Sequence, residues 1–113
     1  MHVSGTTHGD VLVLTLDDDR LDAAGALKFK ETVRTAIAKH PGRVALDMEN
    51  ITFLDSSGLG ALVGAMKMLG NGRRLELVLC GPIVSKVLTL TRMDKVFVLH
   101  DRRPWLADGQ DAA

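Results

Sequence analysis

The chain divides into short runs whose apolar spacing switches between two periods. "DVLVLTLDD" (Asp10 to Asp18) crowds Val, Leu and Thr between aspartates, the composition of a β-strand. A weaker stretch over Val3 to Thr7 precedes it, and His8-Gly9 offers a hairpin turn between the two. "DDDRLD" then breaks the pattern. After Asp22, a candidate helix cap, Ala26, Phe29, Val33, Ala36 and Ile37 recur at helical spacing until His40-Pro41-Gly42 ends the run. "RVALDME" (Arg43 to Glu49) alternates Val44, Leu46 and Met48 against Ala45 and Asp47, which predicts a strand.

The second half repeats the alternation of period. Leu59, Leu62, Val63, Met66 and Leu69 predict a second helix with those residues facing a sheet. Gly60, Ala61, Gly64, Ala65, Lys67 and Met68 fall on its remaining surface. "LELVLC" (Leu75 to Cys80) predicts a strand covered on both faces. Gly81-Pro82 opens a third helix with the stripe Ile83, Val84, Val87, Leu88 and Thr91, and "KVFVLH" (Lys95 to His100) predicts the last strand. The order β-β-α-β-α-β-α-β predicts a single α/β domain, a mixed and mostly parallel sheet with helices packed on it. The domain is expected over residues 1–102. Residues 103–113 form a tail that adds a short helix or frays, with Trp105 expected to fold back over the core. Strand order does not follow from the pattern.

Composition narrows the function. The 113 residues carry 46% hydrophobic and 25% charged positions, an ordinary globular balance, and 14 basic residues cancel 14 acidic ones. A neutral chain lacks the basic footprint of a nucleic-acid binder, and 4% aromatics leaves little for base stacking. The start "MHVSGTTHGD" has neither the basic nor the apolar region of a signal peptide, and no apolar run reaches the length of a membrane span. A soluble cytoplasmic domain is expected. One cysteine, Cys80, at the end of a buried strand, predicts packing rather than reactivity. The aspartates of "DDDRLD" lack the spacing of a calcium loop, and the four histidines show no metal-ligand constellation. No metal and no cofactor is expected.

The candidate chemistry lies in "DSSGLG" (Asp55 to Gly60), where a strand-to-loop segment enters the second helix. A serine there is a natural N-cap, but one suffices. A hydrolase elbow wants glycine where Asp55 stands, with a histidine partner at triad spacing. Gly58, Gly60 and Gly64 place the third glycine of a dinucleotide fingerprint one residue late, and no P-loop Lys-Ser/Thr follows. Glycine costs about 1 kcal/mol relative to alanine inside a helix. Two within the first turns therefore require either close approach of another backbone or a flat face against which a partner docks. Spacing alone leaves both open.

"ALDMENITFLDSSGLGALVGAMKML" resembles the signature region of the STAS domain in bacterial anti-sigma factor antagonists. "RLDAAGALKFKETV" resembles that family's Leu-Asp turn and first helix, and "GRRLELVLCGPIVSKVLTLTRMDKVFVLH" its last strand-helix-strand unit. The chain departs by Asp19-Arg20 where the family often has glycine before the Leu-Asp turn, and by Arg92 where it often has glycine before the final strand. The resemblance implies a regulator with no catalytic residues of its own. Its phosphate acceptor would be Ser56, with Ser57 as second choice and as the better candidate for capping. The implied partners are an anti-sigma factor that is also a serine kinase of the histidine-kinase-like ATPase type, and a PP2C-type phosphatase. The implied contact surface comprises Asp22, Asp55, Ser56, Ser57, Gly58, Gly60, Ala61 and Gly64. An accessory STAS subunit of a membrane lipid-transporter assembly is the alternative.

Overall fold

The computed structural model describes residues 1–70 and 72–106. The chain runs through β1 (Val3–His8), β2 (Val11–Leu16), β3 (Arg20–Leu21), α1 (Ala23–Ala38), β4 (Arg43–Asp47), β5 (Phe53–Leu54) and α2 (Ser56–Leu69). It finishes with β6 (Glu76–Val78), α3 (Pro82–Leu90), a 3₁₀ turn (Met93–Lys95) and β7 (Val98–His100). Five strands form one sheet in the order β1-β2-β4-β6-β7. The β1–β2 hairpin turns at Gly9, which takes φ 62°, and is antiparallel; every other pair is parallel. The short pair β3 and β5 lies apart as a two-stranded parallel sheet. These two strands are absent from the sequence reading, because two residues carry no periodicity.

Alternation along the strands sorts the side chains between two faces. Leu14, Leu16, Leu46 and Leu77 meet Phe29, Val33 and Ile37 of α1, Leu62 and Leu69 of α2, and Val84 and Leu88 of α3 in the main core. The opposite face holds a smaller apolar cluster, Val11, Val13 and Ala45, against which Trp105 packs as expected. Beside it Arg103 donates from Nε to Asp47 at 2.9 Å and also pairs with Glu49. The tail thus closes over the sheet up to Leu106; of the tail expected over residues 103–113, residues 103–106 form a turn and not a helix, and 107–113 lie outside the described residues.

Several local expectations need correction. The inward side of α2 is Gly58, Ala61, Leu62, Ala65 and Leu69, whereas Leu59, Val63 and Met66 are half-buried. The small residues Ala61 and Ala65 are covered because α1 packs along that side of α2. Asp22 occupies the N-cap position of α1 but its carboxylate makes no cap bond, since it pairs with Arg20 at 3.1 Å. In α3 only Val84 and Leu88 are buried; Ile83 and Thr91 are exposed. The last strand begins at Val98, because Met93–Lys95 coil into the 3₁₀ turn that seats Phe97 in the core.

Candidate functional site

The segment from β4 to α2 is anchored before it reaches the serines. Met48 and Ile51 are buried in the main core, and the Asn50 amide donates to the Leu16 carbonyl at 3.2 Å. The Thr52 N–H donates to the Asp19 carbonyl at 2.7 Å, and the Thr52 hydroxyl adds a second bond to the same oxygen. β5 then pairs in register with β3, Arg20 opposite Phe53 and Leu21 opposite Leu54. Continuing that register sets the two helix starts side by side, Asp22 next to Asp55.

Asp55 joins them. Its backbone is extended, the conformation of an N-cap, and Oδ1 accepts from the Gly58 N–H at 2.8 Å. Its Oδ2 accepts from the Ala23 N–H at 3.3 Å, so one carboxylate serves the first turns of both α1 and α2. The cap expected of Ser57 is therefore supplied by Asp55. Both Ser56 and Ser57 are exposed, and among the described residues neither hydroxyl makes a hydrogen bond. They stand on the first turn of a helix, where backbone donors and a partial positive charge gather.

Gly58 accounts for one of the puzzling glycines. A Cβ there would lie 2.0 Å from the Leu21 carbonyl oxygen and 2.8 Å from Leu54 Cδ1. Close backbone approach is the reason at this position. Gly60 is the opposite case, with nothing within 4 Å of an added Cβ, and at Gly64 an added Cβ would lie 3.6 Å from Lys30 Cδ. Of the residues expected to form a contact surface, Ser56, Ser57 and Gly60 are exposed, Asp22, Asp55 and Gly64 are half-buried, and Gly58 and Ala61 are buried. Gly58 and Ala61 thus shape the surface from beneath.

Further side chains join this region beyond those expected of the contact surface. A groove of about 450 Å³ runs between α1 and α2, lined by Ala23, Ala26, Leu27, Lys30, Ser57 and Gly60, with Ala61 at its base. Leu27 is 66% exposed at its rim. Its signal was legible, since Leu27 lies off the Phe29-Val33-Ile37 stripe. On the other side the Arg20 guanidinium sits 4.6 Å above the Phe53 ring, a cation–π contact on a partly exposed aromatic. That pairing needs the β3–β5 register and has no sequence signature.

The histidines bear on the chemistry open to the serines. His2 lies 2.5 Å from Asp17, His8 stacks on Trp105, His40 reaches the Asp10 carbonyl and His100 lies against Glu76. Each is engaged away from Ser56, so no imidazole is placed to take a proton from it as nucleophilic catalysis requires. Cys80 is half-buried, and burial pushes its thiol up to about 11, which disfavours the reactive thiolate. What remains is an exposed hydroxyl pair on a helix start capped by Asp55, flanked by carboxylates and a shallow groove of mixed lining.

Comparison with known proteins bears on the family and the fold. A family model described as STAS domain matches residues 2–107. The anti-sigma-F factor antagonist RsfB of Mycobacterium tuberculosis is 26% identical over 103 residues, spanning 88% of this chain and 84% of that protein. Among solved structures, a STAS domain protein from Planctomyces limnophilus superposes with a TM-score of 0.81 at 23% identity, covering 89% of this chain and 91% of that one. SpoIIAA, a Bacillus cell fate determinant solved in its phosphorylated form, superposes with a TM-score of 0.64 at 23% identity, covering 87% and 88%.

Proposed function

The chain belongs to the STAS domain family, and on that premise we propose that it is a bacterial, cytoplasmic anti-sigma factor antagonist switched by phosphorylation of Ser56. Unmodified, it binds and sequesters an anti-sigma factor that is also its serine kinase, of the histidine-kinase-like ATPase type, and so frees a sigma factor. A PP2C-type phosphatase returns the modified form to the binding state. The observation that carries this reading is the exposed, unbonded hydroxyl of Ser56 on a helix start already capped by Asp55. The helix does not need the serine, so a kinase can take it.

The electrostatics favour a switch at the interface over a switch in the fold. A phosphoserine carries about −1.5 to −2 charges and three acceptor oxygens. At the first turn of α2 it meets a favourable dipole, which lets the domain tolerate it. A docked partner meets instead a doubly charged group beside the carboxylates of Asp55 and Asp22. The groove along Leu27, Gly60 and Ser57 supplies the apolar part of the contact; Asp22 immediately precedes its lining residue Ala23, and Gly64 lies against its lining residue Lys30.

The test is incubation with such a kinase and ATP, followed by phosphate mapping by mass spectrometry. Modification is expected at Ser56; modification confined to Ser57, or none, overturns the assignment. In parallel, Ser56→Asp should retain its circular dichroism spectrum while losing at least tenfold in affinity for the kinase, about 1.4 kcal/mol. Loss of structure on that substitution would assign Ser56 to the framework of the fold.

A further inference from the structure

We infer that β1 is a self-association edge through which two copies of this chain join their sheets antiparallel about a two-fold axis at Gly5. The phase of the strand is set by its partner. Asp17 donates its N–H to the His2 carbonyl, and the hairpin register continues from there without a bulge, Val3 opposite Leu16 to His8 opposite Val11. In an antiparallel ladder alternate residues exchange hydrogen bonds with one neighbour and point the intervening groups away from it. His2, Ser4, Thr6 and His8 therefore bond to the β2 side. Val3, Gly5 and Thr7 aim their N–H and C=O groups at the open edge.

That edge lacks the usual protection. Exposed edge strands are ordinarily blunted by lysine, proline, a bulge or shortness. β1 is six residues of "VSGTTH" with an unbroken register and no Lys, Arg, Asp, Glu or Pro. At the other end of the sheet β7 has only three residues. The features of β1 point to a second copy as the occupant. Centred on Gly5, the pairing sets Val3 against Thr7 of the other copy, Ser4 against Thr6, and Gly5 against Gly5. These are β-branched and hydroxyl pairs of the kind that favour a sheet seam, and all three outward residues become hydrogen-bonded pairs. Such a contact is isologous and closes on itself as a dimer.

Charge and shape agree with this. The chain's formal net charge is zero, so two copies approach without long-range repulsion. Beneath the edge lies a shallow groove of about 310 Å³ whose lining includes Val3, Gly5, Thr6, Thr7, Leu14 and Thr32. It opens where Gly5 has no side chain, and the two-fold brings the grooves of both copies together, each covered by Val3 and Thr7 of the other.

Sedimentation velocity of the full chain over a concentration series, with amide exchange followed by NMR, tests the inference. Reversible dimerisation is expected, with the Val3, Gly5 and Thr7 amides exchanging more slowly as concentration rises while Ser4 and Thr6 stay unchanged. Thr7→Pro removes an outward donor and breaks no bond to β2. Thr6→Lys places like charges near the axis. Each should raise the dimer dissociation constant at least tenfold with an unchanged circular dichroism spectrum. If Thr7→Pro fails to fold, Thr6→Lys decides alone. A chain that stays monomeric at every concentration overturns the proposal. So does a dimer indifferent to Thr6→Lys, or concentration-dependent protection confined to other residues.

Discussion

Gly58 and Gly60 stand two residues apart in one helix and have opposite reasons to be glycine. At Gly58 a methyl group would press on the backbone carbonyl of Leu21, 2.0 Å away, and backbone cannot yield as a flexible side chain does. Overpacking of this kind costs about 1–3 kcal/mol. Gly58→Ala should therefore lower the urea midpoint by that order and loosen the contact that sets Asp22 beside Asp55. At Gly60 an added methyl meets open space, and removing a mid-helix glycine contributes up to about 1 kcal/mol through backbone entropy. Gly60→Ala should raise the midpoint. The pair is a control on itself, because equal effects at both positions would contradict the packing assigned to each.

Elements with a sustained period are legible in the sequence. Phe29, Val33 and Ile37 declared α1, and the alternation of Val44, Leu46 and Met48 declared β4. The β3–β5 pair was invisible because its information is a register between segments 33 residues apart, as was the cap, which the sequence offered to Ser57 and the fold assigns to Asp55. For α2 the period was right and Leu62 and Leu69 face inward as expected, but the covered side also takes in Gly58, Ala61 and Ala65, because α1 packs along those small residues. Arg92 shows a further element-level constraint. It follows α3 with φ 60°, in the left-handed region that favours glycine, at the place where glycine is common in the resembling family. Its side chain is exposed, so little packing opposes a change. A left-handed non-glycine residue costs about 1–2 kcal/mol, partly offset by the greater freedom of glycine in the unfolded chain. Arg92→Gly should stabilise by about 0.5–1 kcal/mol, read as a higher thermal midpoint with an unchanged circular dichroism spectrum.

At the scale of the whole molecule the two faces of the sheet have different work. One is buried under three helices and positions the serine turn; the other is closed by the tail and by an ionic array. Glu76 lies at the centre of that array, buried, accepting from Arg43 Nε at 2.8 Å and from Arg43 Nη2 at 2.7 Å, with His100 Nε2 2.8 Å away. The Arg43 bonds lower the Glu76 pKa, burial opposes them, and His100 lowers it further. The folded protein therefore releases this proton more readily than the unfolded chain. Between the lowered value and the ordinary one near 4.5, the unfolded state holds more protons, so stability rises with pH across that window. The contribution is complete above the ordinary value and is lost as pH falls through the folded one. Arg43 is half-exposed, which weakens the pair through solvent screening, and bonds to a charged group are worth about 1–3 kcal/mol. Glu76→Gln should cost that order at neutral pH, measured by urea unfolding, and should flatten the acid limb of the stability profile. Three strands take part through Arg43, Glu76 and His100, so the loss should appear as a shift of the cooperative transition. A variant that unfolds at the same midpoint as the parent at pH 7 would show that the array only decorates the sheet.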